Sequence, residues 1–291
     1  MALLQRPSLV AHSYLWDDAK HGHTVPVRVT YPREGKNLPV IVFSHSARSS
    51  ENAMDPLVTY WAQNGYAVFQ PRHEDAGNNP PPPRNAPPPP ASRKFWATRL
   101  DDCEFMYAVA RNVKQWVPDL AGRLNTKAIL QAGHIHGANT SQTLGGMKCN
   151  GRSFASAIPI AFCCISPPGV SEDIDEKSWS DFKRPLLVVS GTEDAMPFEA
   201  NRPKFTPESH QNPYKLSPPG DKFLLWIQGA NTYFGGITGE GGNNPAQVRW
   251  VQEATLAFFD AYAKRDGKKL HWLKSHDLAA ATKGEAVISW R

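Results

Sequence analysis

Four short stretches of the chain hold residue types able to do chemistry: "FSHSARSS" (43–50), "GHIHGA" (133–138), "GTEDAMP" (191–197) and "GANTYFGG" (229–236). Histidine exchanges protons near neutral pH, and a carboxylate such as Asp194 can orient an imidazole. Hydroxyls such as those of Ser44 and Ser46 attack once a base removes their proton. In the second stretch Gly133 and Gly137 flank Ile135 on either side, a spacing that lets a strand turn sharply into a helix. Isoleucine cannot attack anything, and a β-branched residue fits poorly where a backbone needs unusual dihedrals. His45, His73 and His136 fall near predicted strand ends, and three imidazoles suit zinc. No metal-ligand motif accompanies them, so neither a metal nor another cofactor is expected.

The elements that must position these residues read as an alternation. "VPVRVTY" (25–31) alternates apolar and polar residues, as a half-exposed strand does. "LPVIVFS" (38–44) is continuously apolar, as a strand buried on both faces is. Further strands are expected at 66–71, 127–132, 158–165, 184–191 and 222–229, and helices at 53–64, 96–116, 137–147 and 246–264. This order implies an α/β chain, with a mostly parallel central sheet and helices on both faces. Ligands of such sheets bind beyond the carboxyl ends of the strands, and all four stretches fall there. The segment "NNPPPPRNAPPPP" (78–90) cannot form a helix or central strand. It reads as a stiff loop insertion, with a protein partner or a cover over the site as its sharper alternatives.

Together with "HTVPVRVTYP", "YWAQNGYAVFQPRHEDA", "FWATRLDDCEFM" and "DKFLLWIQGA", these stretches resemble the α/β-hydrolase family, in particular dienelactone-hydrolase-like, acetylhydrolase-like and cutinase-like bacterial esterases. The resemblance covers nearly the whole chain and implies one α/β-hydrolase domain over residues 1–291, with the Pro-rich loop inserted into it. It assigns the nucleophile position, the serine of G-x-S-x-G, to Ile135 and the acid to Asp194. The base, a histidine in relatives that read G-A-x-H, falls on Thr232. The oxyanion donors become the backbone amides near Ala47 and at His136, although Ser46 and Ala47 follow His45 where relatives carry glycine.

Two of the three triad side chains are therefore missing. Three functions remain open on the sequence. The chain is a degenerate ester hydrolase that keeps a pocket for a small hydrophobic ester- or acyl-like ligand. Or it is an active enzyme with displaced groups, with His136 as base, Ser46 or water as nucleophile and Asp194 in support. Or it is an interaction scaffold acting through the Pro-rich loop. Ser46 suits a turn, Asp194 can cap a loop, and Asp101 and Asp102 suit the positive end of a helix. Thr140 and Ser141 can bond to preceding carbonyls, His134 is structural, and His210, His271 and His276 are expected in solvent.

The formal charge of +5 is spread along the chain without a basic block, and no nucleotide or nucleic-acid motif is present, so no nucleic-acid partner is expected. No apolar run is long enough for a membrane span. The N-terminal stretch lacks the charged and apolar regions of a secretion signal. Cys103, Cys149, Cys163 and Cys164 show no metal spacing, and the adjacent pair lies in an apolar run, which slightly favours a reducing, cytoplasmic setting.

Overall fold

The computed structural model describes residues 7–77, 95–195, 206–239 and 241–291, so the Pro-rich stretch lies outside the described residues. A nine-stranded mixed sheet forms the centre, in the order β1-β2-β4-β3-β5-β6-β7-β8-β9. The strands are β1 (Leu9–Asp18), β2 (His23–Pro32), β3 (Leu38–Ser44), β4 (Ala67–Pro71), β5 (Leu124–His134), β6 (Phe162–Ile165), β7 (Leu186–Gly191), β8 (Lys222–Ile227) and β9 (Ala286–Trp290). The run from β4 through β8 is parallel, while β1, β2 and β9 join antiparallel at the two sides.

The side-chain period of two splits the interior of β3 between two cores. Ile41 and Phe43 enter one cluster with Trp61, Leu130 and Phe259, while Val40 and Val42 enter the other with Phe69, Tyr107 and Phe162. Helices α1 (Asp55–Gln63) and α5 (Pro245–Ala263) supply the first cluster; α2 (Phe95–Arg111) and α3 (His136–Gly145) supply the second. Burial of both faces explains why β3 has no polar alternation. The first of these faces is tied across long sequence distances. Trp61 Nε1 donates to Thr255 at 3.0 Å, and the Tyr66 hydroxyl donates to Asp260 at 2.7 Å.

The expected element types recur, with boundary differences that have physical causes. The helix expected over 96–116 ends at Arg111 and gives way to two 3₁₀ turns, the second beginning at Pro118. The strand expected from 158 starts at Phe162, because only the four residues Phe162–Ile165 pair with β5 and β7. The edge strands β1 and β9 had no strong apolar signal. Half-exposed β1 carries polar residues along its solvent side, and its pairing with β2 over all ten residues makes it a strand. Short helices α4 (Asn212–Leu216), α6 (Gly267–Leu273) and α7 (Asp277–Ala281) complete the chain. Among the described residues, no helix is long and apolar enough to cross a membrane.

The registers align the carboxyl ends of the parallel strands. Ser44 lies beside Gly133, His134 beside Ile165, and Gly191 beside Ile227. Residues that follow these positions share one edge of the sheet.

Candidate functional site

The turn from β5 into α3 is built by close approach. A Cβ at Gly133 would lie 2.1 Å from the Gly137 carbonyl oxygen, and a Cβ at Gly137 would lie 1.8 Å from the Ser44 carbonyl oxygen. No side chain fits at either place, which gives the glycine spacing its physical reason. Between them Ile135 is held at φ 51 and ψ −106. It is the one β-branched residue among the described non-glycine residues with positive φ. Such a conformation costs about 1–3 kcal/mol and persists only where its surroundings impose it. Here the Ile135 amide donates to Ile165 at 3.0 Å and its carbonyl accepts from Asn139 at 2.9 Å. The half-buried side chain stands at the strand-end edge.

Asp194, after β7, is fully buried and bonded to hydroxyls. Ser190 donates to one carboxylate oxygen at 2.7 Å, and Ser166 donates to the other. Thr232 Oγ1 lies 3.2 Å from Ser166 Oγ, so the positions assigned to acid and base are joined through one serine. His134 ties the same loop, its Nε2 donating to the Thr232 carbonyl at 3.0 Å. Burial raises the Asp194 pKa, offset in part by His210 and by the two serine hydrogen bonds. Thr232 has no lone pair basic enough to take a proton from a hydroxyl.

His210 is a correction to the sequence reading, which placed it in solvent. It is fully buried, and its Nε2 lies 4.0 Å from Asp194. The short helical segment Ser209–Gln211 folds inward because Nδ1 donates to the Pro167 carbonyl at 2.6 Å. Nδ1 is committed to that carbonyl, and Nε2, 4.0 Å from the acid, makes no hydrogen bond among the described residues. It stands beside the buried carboxylate without completing a triad. No motif marked Ser166 or His210; Ser166 could have been noticed as the residue that follows β6.

A second cluster lies beside β3. Ser44 Oγ is 2.8 Å from His73 Nε2, His73 Nδ1 is 2.7 Å from Asp102, and the other Asp102 oxygen is 2.7 Å from His23 Nε2. Arg99 donates to the His45 carbonyl at 2.7 Å and forms a two-pronged pair with Asp75 at 2.8 and 2.7 Å. Asp102 is thus not a helix-start carboxylate: it lies in the second turn of α2 and points inward. Burial alone would raise its pKa, but hydrogen bonds from His23 and His73 hold it below the ordinary value.

Ser46 and Ala47 are half-buried in the turn after β3, where the Ser46 carbonyl accepts from His45 Nδ1 at 2.6 Å. The backbone amides of Ala47 and His136 donate to no protein group among the described residues. His136 is half-buried with Nδ1 unpartnered, and its pKa is lowered by burial and then by Arg99. Among the described residues, no hydrogen bond joins Ser46, His136 and Asp194, and the charges acting on His136 are those of Arg99 and Asp75. Thr140 and Ser141 donate to the carbonyls of His136 and Gly137 at 3.1 and 2.9 Å. Among the described residues, no three metal-ligating side chains converge. A cavity of about 1140 Å³ opens at the opposite end of the sheet, lined by Leu38, Pro39, Lys127 and Tyr262, and it includes none of these groups.

Compared with protein-family models and with curated proteins, the chain finds no match.

Proposed function

We propose that the chain is an α/β-hydrolase-fold relative of the carboxylic-ester hydrolases that binds an ester or acyl ligand at the carboxyl ends of its strands and has lost the chemistry of its nucleophile turn. The observation that carries this reading is Ile135 at φ 51 and ψ −106, pressed between two glycines that no side chain could replace. A strained turn of this kind serves to hold a nucleophile above a sheet, and it serves an isoleucine no purpose. The order Ile135, Asp194, Thr232 matches the nucleophile–acid–base order of that family. The free amides of Ala47 and His136 support a retained oxyanion site, since backbone donors outlast side-chain changes.

The test is calorimetric titration with a short-chain alkyl trifluoromethyl ketone, which mimics an ester and cannot be hydrolysed. The parent should bind it, and Ile135→Lys, which places a charged chain at the same mouth, should weaken binding at least about tenfold, the equivalent of 1.4 kcal/mol. Equal binding by the folded variant would place the ligand elsewhere and remove this reading.

A further inference from the structure

Hydrogen-bond partners fix the protonation of the cluster beside β3. A carboxylate only accepts, so His73 Nδ1–H and His23 Nε2–H both donate to Asp102. His73 Nε2 is then left with a lone pair facing Ser44 Oγ at 2.8 Å. That is the proton arrangement of a hydroxyl beside its general base, with the base oriented by a carboxylate. Arg99 Nη1 lies 3.3 Å from Ser44 Oγ, placed to stabilise negative charge on that oxygen. His45 holds the backbone at His73. Its Nδ1 donates to Ser46, which leaves Nε2 to accept the His73 amide at 3.0 Å. Burial and then Arg99 lower the His73 pKa, so its ring is neutral at pH 7, the form a base requires.

We propose that Ser44, His73 and Asp102 form a Ser–His–Asp relay that accepts an acyl or phosphonyl group on Ser44 Oγ without help from residue 135. The acyl class rests on the function proposed above; the relay does not. Ser44 Oγ bonds to the carbonyl carbon of an ester while its proton passes to His73 Nε2. Collapse of the tetrahedral intermediate breaks the bond to the alcohol oxygen, and the alcohol leaves with that proton. Water then adds to the acyl carbon, giving a proton to the same imidazole, which returns it to Ser44 Oγ as the acid departs. Ser44 has no exposed surface, so the reaction is gated by local opening at the strand ends and is slow.

The full chain is incubated with an alkyl fluorophosphonate under native conditions, and adducts are located by peptide mass mapping. The expected result is an adduct on Ser44 that is absent in Ser44→Ala. In Asp102→Asn, checked for an intact melting transition, the adduct should form at least about tenfold more slowly. No adduct on Ser44 in the folded parent overturns the proposal, as does an unchanged rate in folded Asp102→Asn. Should Asp102→Asn not fold, the parent map and Ser44→Ala decide alone. Ketone binding that survives Ser44→Ala while labelling is lost separates the relay from the ligand-binding reading.

Discussion

The double substitution Ile135→Ser/Thr232→His is expected to hydrolyse an activated ester at least about 10³-fold faster than the parent, with either single substitution staying at the parent rate. The non-additivity is physical. A serine without a base keeps its proton, and a base without a hydroxyl has nothing to activate. The backbone needs no rebuilding, because residue 135 already holds positive φ and its two glycines already admit the turn. The span between Thr232 and Asp194 is bridged by a single hydroxyl, that of Ser166, 3.2 Å from Thr232 Oγ1 and bonded to the carboxylate. An imidazole at residue 232 covers that span. Steady-state rates of the three variants, each with a verified melting transition, check this. A folded double variant no faster than the singles would mean that the turn does not hold a nucleophile usefully.

Stability is expected to fall steeply as pH drops from about 6.5, the unfolded histidine value, towards 4. Burial lowers the His134 pKa to about 4, and it also lowers those of His45 and His73. A group whose folded pKa is depressed contributes stability above its unfolded pKa and loses it as pH falls through the folded value. For His134 alone the gap is worth about 3 kcal/mol, a large part of a typical domain's total. Asp194, whose folded pKa is raised, works in the opposite direction and returns part of the loss. Asp102, held low, contributes above the unfolded carboxylate value and is lost only below this window. His23, held high by Asp102, contributes fully below about 6.5 and fades above it. Urea unfolding across the window measures the slope, and His134→Gln should flatten it. A slope unchanged by that substitution would show that the buried imidazole is not its source.

The strands that position the site were legible because burial on both faces leaves an unbroken apolar run, as in β3, and glycine spacing marks a forced turn, as at Gly133 and Gly137. The edge strand β1 was not, since its pairing with β2 defines it and a half-exposed edge has little pattern of its own. Ile135, Asp194 and Thr232 were assigned through the family resemblance, from their places after strands. The structure brings the last two together and leaves Ile135 at a turn whose strain no composition reveals. The relay of Ser44, His73 and Asp102 was illegible for a different reason. Ser44 and Asp102 lie 58 positions apart, and nothing in a sequence says that α2 turns its carboxylate to His73, just after β4. His210 was misread because a loop histidine is solvated by default, and only the Pro167 carbonyl and Asp194 draw it inward.

The measurement that bears most directly on the account is the rate of activated-ester hydrolysis by highly purified parent and by Asp194→Asn. Oxyanion donors and binding alone can leave roughly 10³–10⁴-fold acceleration over water, and Ser44 would add turnover independent of Asp194. The account predicts equal rates in the two proteins, because the carboxylate serves Ser166, Ser190 and His210 and no base. A parent rate that collapses in folded Asp194→Asn would contradict it, and would mean that Asp194 still works in a triad.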